Sequence, residues 1–490
     1  MIQPDPKKQL LRGAAWTVGT RWIIKLLGFL NTVIMARILL PEDYGIVAMA
    51  MLAVGLVQTF IDFSPSLFLL RKAHVTQDEI DSAWTLRMLQ GLAAGLLMFL
   101  LTPMVIAYFG EPRLEFVLWA IAASTILASV SSLGTVLAQK EFNFLLEFKV
   151  QTISKFLGVA TTLVFGFWLG DFRALALGIV MGYVAPVILG YVLHPYRPHW
   201  NTSKIGEIWS MTKWLMLANI GTFVLRRGDE LIAGRIGTTH EFGLYNVGAD
   251  FGQLPVGEVG PAMLRALLPV LSSIQQNVAR TNAAVIKTIA GINCVIWPIG
   301  LGFIAVVGPA TELVLGAKWL EALPYVGAYA LVSVLLTVAS PAKTLLTLRG
   351  FTRVQSSIVW LEFMVFAAAA LVLVPQFHLP GLAGARIAAC FFSALAMLWS
   401  ARQRCGMPFK AALMSIARPM LGALAMSAMV VYLVSQVETN AAKLLAAAPA
   451  GALFYITWSL ITWHLAGRPE GLESTVVDRL SAEWKKRKKP

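Results

Sequence analysis

The sequence predicts an all-α polytopic membrane protein of about 14 transmembrane helices, arranged as two six-helix repeats in parallel orientation with two appended helices. Three observations predict it. The chain is 57% hydrophobic and only 13% charged, with a mean hydropathy of +0.70, which excludes a soluble globule. A weak internal repeat runs through it: ARILLPEDYG (36–45) matches GRIGTTHEFG (234–243) at an offset of 198, which also pairs Trp16 with Trp214. Farther on, Thr135, Leu137, Lys140 and Phe142 meet Thr344, Leu346, Arg349 and Phe351 at an offset of 209. Finally, with the N-terminus placed inside, the cytoplasmic segments hold about 25 Lys and Arg and the opposite loops about 6.

The elements follow in order. A bilayer core needs roughly 20 apolar residues per helix, and the first bundle, 1–193, supplies spans at 13–36, 44–69, 83–108, 114–138, 150–169 and 174–193. The first of these is too long for a cleavable signal and carries Arg21 and Lys25. Pro41, Glu42 and Asp43 start the second span: proline suits the first turn, and acids there complement the helix dipole. The equivalent place in the second repeat, Thr238 to Glu241, has capping-box spacing.

A cytoplasmic linker, 194–210, holds Pro195 and Pro198. The second bundle, 211–404, contains spans at 211–234, 243–270, 284–308, 322–347, 354–374 and 380–400, and residues 405–466 add an appended pair at 412–435 and 444–466. Six spans per repeat bring both halves into the membrane in one orientation, so the pseudo-symmetry axis runs along the membrane normal, as in secondary transporters. Leu472, Val476, Leu480 and Trp484 at four-residue spacing, then KKRKK (485–489), make the tail 467–490 an expected interfacial amphipathic helix attracted to anionic inner-leaflet lipid.

The net charge of +14 does not point to nucleic acid, because the positive-inside pattern absorbs it and leaves no basic face with interleaved aromatics. Cys294, Cys390 and Cys405 are too scattered for a disulfide framework or a metal site. No nucleophile, metal cluster or phosphate-cradling glycine loop stands out, so neither an enzyme nor a cofactor is expected.

Charges inside spans cost about 3 kcal/mol each at mid-bilayer and normally face the bundle interior or a wet cavity. Arg21 and Lys25 lie one turn apart on the first span, with Gly28 and Thr32 continuing their face. Arg226, Arg227, Asp229 and Glu230 lie on the seventh, and the 198 offset sets Arg226 opposite Gly28. With Arg265, these cations (Arg21, Lys25, Arg226, Arg227) are the candidate binders of an anion carrying phosphates. The bland alternative is that Arg227, Asp229 and Glu230 neutralise one another. Asp62, Asp250 and Glu258 are candidate ion-coupling carboxylates, and Pro65, Pro255 and Pro261 are candidate hinges, with a kink expected near Pro255 or Pro261.

The segments ARILLPEDYGIVAMAM, FIDFSPSLFLLRK and VLAQKEFNF resemble the Wzx-type polysaccharide flippases, notably the colanic-acid-exporter-like branch of the multidrug/oligosaccharidyl-lipid/polysaccharide exporter superfamily. The resemblance implies a V-shaped transporter in the bacterial inner membrane with both termini cytoplasmic. It implies translocation of undecaprenyl-diphosphate-linked oligosaccharide units, by alternating access around a cationic central cavity, for exopolysaccharide, capsule or O-antigen assembly. Two extra spans would flank a lipid groove. The implied partners are the lipid-linked oligosaccharide, with polysaccharide polymerase and export machinery beyond it. The alternatives are a peptidoglycan-precursor lipid flippase or a multidrug exporter of the same superfamily, then a membrane polymerase or glycosyltransferase.

Overall fold

The computed structural model describes residues 6–61, 65–72, 74–257, 259–260, 263–264, 274, 277–465 and 467, and every described element is helical. Packing divides the chain into two compact units, Met1–Gly243 and Leu244–Pro490. The first contains α1 (Pro6–Ile38), α2 (Pro41–Ile61), α3 (Pro65–Arg71), α4 (Gln77–Phe109), α5 (Leu114–Ser129), α6 (Gly134–Lys140), α7 (Phe144–Leu169), α8 (Phe172–Leu193) and α9 (Ile205–Ile236). Helix α10 (Thr239–Gly257) begins there and continues into the second unit. That unit adds α11 (Val278–Ala305), α12 (Val307–Val314), a 3-10 turn (Ala317–Ala322), α13 (Leu323–Val338), α14 (Ser340–Leu348), α15 (Thr352–Cys405), α16 (Phe409–Ser435) and α17 (Asn440–Leu465).

Ten of the described helices are long and apolar enough to cross a membrane, or eleven if α5 and α6, bent by 56°, form one span. Two features separate this count from the expected one of about 14 spans. Helix α15 is one 54-residue run whose backbone leaves helical geometry at His378 (φ 51, ψ −133). The chain doubles back there, because a Cβ on Gly381 would lie 2.3 Å from the Leu373 carbonyl oxygen. The two arms coincide with the spans read at 354–374 and 380–400. Helices α9 and α10 carry Arg226, Arg227, Asp229, Glu230 and Asp250, which dilute their apolar character.

The sequence divides the bundles near 193, whereas the structure packs α9 on α2, α3 and α4 within the first unit. The reason lies at its start. Ile208 is fully buried in a cluster with Phe68, Leu69, Ile80, Leu86 and Leu133. The Lys72 ammonium bridges Glu79 (2.6 Å) and Glu207 (2.5 Å). The linker is also stitched to the start of α4: the Tyr196 hydroxyl donates to Asp81 Oδ1 (2.6 Å), the Asn201 N–H to Thr85 Oγ1 (3.0 Å) and the Lys204 N–H to Ser82 Oγ (3.2 Å). Burial and the Asp81 carboxylate push the Tyr196 phenol well above its ordinary range.

Small residues let the membrane helices approach closely, as expected where lipid offers no hydrophobic drive for association. On α7, Gly158, Thr162 and Gly166 form one buried stripe. A Cβ on Gly178 of α8 would fall 1.7 Å from Thr162 Oγ1, and one on Gly166 2.4 Å from Met35 Cε of α1. Helices α1 and α7 run parallel: the Trp16 and Phe148 rings lie 4.8 Å apart, Lys155 lies beside Gly28, and Met35 beside Gly166.

The starts of α2 and α10 are fixed by side-chain caps. Asp43 Oδ2 accepts from the Leu40 N–H (2.9 Å), while its Oδ1 accepts from the Phe172 N–H (3.0 Å) and so ties α2 to α8. At α10 the reciprocal capping-box bonds are present: Thr238 N–H donates to Glu241 Oε2 (2.8 Å), and Glu241 N–H to Thr238 Oγ1 (3.2 Å). Glu111, in the α4–α5 loop, accepts from Arg113 Nε (2.8 Å) and Nη2 (2.8 Å) and from the Thr239 hydroxyl (2.8 Å). The Arg113 guanidinium foremost holds the Glu111 carboxyl down at about 2.

Candidate anion site and apolar groove

In the first unit, α1, α7 and α9 each carry cations; α1 packs on α7, whereas α9 packs on α2, α3 and α4. Arg21 and Lys25 are exposed side chains one turn apart on α1. Arg226 is exposed on α9, ten residues before its end. Neither Arg21 nor Arg226 has a hydrogen bond or ion pair with another described residue. Arg227 differs. Its Nη1 donates to both Glu230 oxygens, at 2.5 and 2.7 Å, forming an i,i+3 pair in which Glu230 is only 13% exposed. That leaves Arg226 as the more available cation of the two.

The structure adds a residue that the sequence reading passed over. Lys155 stands mid-way along α7, and a Cβ built on Gly28 of α1 would lie 3.7 Å from both its Cε and its Nζ. Gly28 continues the face of Arg21 and Lys25, so the Lys155 ammonium joins that face from the neighbouring helix. The missed signal was simple: Lys155 is the one charged residue in 150–169, and a lone intramembrane lysine is a functional-site candidate by default. On the same α1–α7 seam, Asn31 Oδ1 and Thr152 Oγ1 are buried without a hydrogen-bond partner among the described residues.

The other sequence candidates are dispersed or lie outside the described residues. Asp62, Glu258, Pro261 and Arg265 are outside them. Asp250 is exposed on α10. Pro65 opens the short helix α3, while Pro255 lies within α10, which continues to Gly257. In the second unit, Arg386 and Glu362 sit 3.9 Å apart on the two arms of α15, both largely buried. Among the described residues no group of His, Cys, Asp and Glu could hold a metal ion.

The second unit also contains an apolar groove of about 700 Å³ between α11, α16 and α17. Val295, Ile299 and Phe303 line one wall; Met426 and Val430 face them, and Gly451 opens the third side. A small polar spot interrupts it: the Tyr455 hydroxyl lies 3.8 Å from Cys294 Sγ, which is 4.0 Å from Ser459 Oγ.

Comparisons with known proteins place this geometry in context. The lipopolysaccharide biosynthesis protein WzxC of Escherichia coli is 22% identical over 369 residues, covering 74% of each chain. The succinoglycan biosynthesis transport protein ExoT of Rhizobium meliloti is 23% identical over 473 residues, covering 93% of each. The solved structure of a lipid II flippase, MurJ, in an inward closed conformation superposes with a TM-score of 0.75 at 15% identity, covering 93% of this chain and all of that one; it shares the fold. The model of a family described as polysaccharide biosynthesis proteins matches residues 34–324, more than half of the chain. This multi-pass membrane protein therefore belongs to the polysaccharide biosynthesis protein family.

Proposed function

We propose that this protein is a flippase, not an enzyme, that carries a polyprenyl-diphosphate-linked oligosaccharide from the cytoplasmic to the outer leaflet of the bacterial inner membrane for surface polysaccharide assembly. Both termini then lie in the cytoplasm. The observation that carries the reading is the coexistence of an intramembrane cation set (Arg21, Lys25, Lys155, Arg226) with a 700 Å³ apolar groove in a chain of this family. The diphosphate and sugars cannot cross hydrocarbon unaided, while a polyprenyl tail is at home there. Arginine forks match phosphate oxygens two at a time, and the groove gives the tail an apolar lining that matches the lipid it leaves, so the tail stays in an apolar environment throughout.

Transport proceeds by alternating access. With a negative cell interior, outward movement of an anion is downhill by about 2.3 kcal/mol per charge per 100 mV. Asp62, Asp250 and Glu258 are proposed to couple an ion or proton to the return step. Polysaccharide polymerase and export machinery act downstream on the delivered unit.

The test is deletion in the source bacterium, followed by analysis of lipid-linked sugars and surface polymer. Loss of polymer with diphosphate-linked oligosaccharide accumulating on the inner leaflet is the expected result. Normal polymer with altered tolerance to cationic drugs would replace the flippase with a drug exporter. Arrested cell-wall precursor would replace the oligosaccharide with the peptidoglycan lipid, and complete units stranded on the outer leaflet would point to a polymerising enzyme.

A further inference from the structure

The two repeats place their cations differently. The offset of 198 carries Arg226 onto Gly28, so α1 lacks a charge where α9 has one. The offset of 209 carries Lys155 onto Met364, so the second repeat lacks a charge where α7 has one. The structure explains the exchange: the Lys155 ammonium occupies the space beside Gly28, 3.7 Å from where a side chain would start. The missing cation of the first repeat is therefore supplied from the neighbouring helix.

Lys155 cannot be dismissed as a snorkelling residue. It stands five residues into the apolar stretch 150–169, and its ammonium lies beside Gly28 of α1, twelve residues past the Trp16 that meets Phe148 near the start of α7, rather than reaching back to that end. No carboxylate among the described residues pairs with it. A lysine beside a glycine, with the buried polar atoms of Thr152 and Asn31 on the same seam, leaves an ammonium with no partner among the described residues and ready for an anionic ligand.

We propose that Lys155 is a phosphate-positioning residue: its ammonium, set beside Gly28, takes the second phosphate of a lipid diphosphate whose first phosphate is held by Arg21 and Lys25. The assignment rests on the flippase reading and deepens it, because it makes the protein a discriminator between diphosphate and monophosphate lipids. Gly28 is the complementary half of the device, since a side chain longer than alanine there would compete with the ammonium for the same space.

The experiment uses the full chain purified in lipid nanodiscs. Binding of polyprenyl diphosphate, polyprenyl monophosphate and uncharged polyprenol is measured by native mass spectrometry. Wild type is expected to prefer diphosphate over monophosphate by about tenfold, the worth of one charge-assisted contact. Lys155→Gln should bring that preference within about twofold while monophosphate binding persists, and Lys155→Arg should retain it. The double variant Gly28→Arg with Lys155→Met, which copies the second repeat, should restore it.

Undiminished preference in Lys155→Gln would overturn the assignment, and so would a double variant that folds but does not regain it. If Lys155→Gln does not fold, the double variant decides alone. Wild type binding polyprenol as tightly as either phosphate would instead overturn the flippase reading itself, so the two failures are distinguishable.

Discussion

Gly45 and Gly243, equivalent positions of the two repeats, each lie against the backbone of the other's helix start. A Cβ on Gly45 would fall 2.0 Å from the Thr239 carbonyl oxygen, and one on Gly243 would fall 1.8 Å from the Pro41 carbonyl oxygen. Neither position has room for a methyl group, and backbone rather than a flexible side chain is in the way. Gly45→Ala or Gly243→Ala is expected to destabilise the protein by about 1–3 kcal/mol through overpacking. Thermal unfolding of the purified variants checks this, and an unchanged melting temperature would refute the contact.

That contact also measures how much could be read beforehand. The offset of 198 paired the two glycines as equivalents, and the acids after Pro41 and the Thr238–Glu241 spacing were legible as helix starts because capping is local in sequence. What no local pattern could contain is that the equivalents touch, or that Asp43 also reaches the Phe172 N–H, 129 residues away. The reversal of α15 falls in the gap between the spans read at 354–374 and 380–400, where Pro375 and Pro380 flank His378. On α9, i,i+3 and i,i+4 spacing offered Glu230 to either arginine, and only the structure chose Arg227. Lys155 was legible as the one charge in 150–169, but its place beside Gly28 was not, because that glycine lies on another helix.

The Glu111 carboxylate links pH to stability. Its folded value, about 2, lies below the ordinary 4.5. Stabilisation from its bonds to Arg113 and Thr239 is therefore fully present above about pH 4.5 and is lost as pH falls towards 2. Glu111→Gln should remove about 1 kcal/mol at neutral pH and flatten this part of the acid-unfolding profile. A wild-type profile parallel to that of the variant from pH 6 to 2 would refute it.

Arg226 and Arg227 should separate cleanly. Arg226→Gln is expected to cut transport by about tenfold with little change in melting temperature, since only the anion contact is lost. Arg227→Gln strands the largely buried Glu230, so it should lower stability while leaving transport within about threefold. Export assays in a deletion strain, with thermal unfolding of the same variants, check both halves.

The groove offers a test that leaves the charges untouched. Ala448 lines it on α17, and Ala448→Trp should fill part of the space a lipid tail would use. The expected outcome is a fall in transport of about tenfold without loss of melting temperature. Transport at the wild-type rate with the tryptophan in place would remove the groove from the path.

The Gly28–Lys155 arrangement bears on how duplicated carriers are compared with one another. Aligned column by column, Gly28 against Arg226 and Lys155 against Met364 score as two mismatches, as though each copy had drifted away from a shared ancestor. Tallied by the space each charge fills instead, they describe one place, which the first repeat fills from α7 and the second from α9. Such copies are better compared by the space their side chains fill than by the columns they occupy.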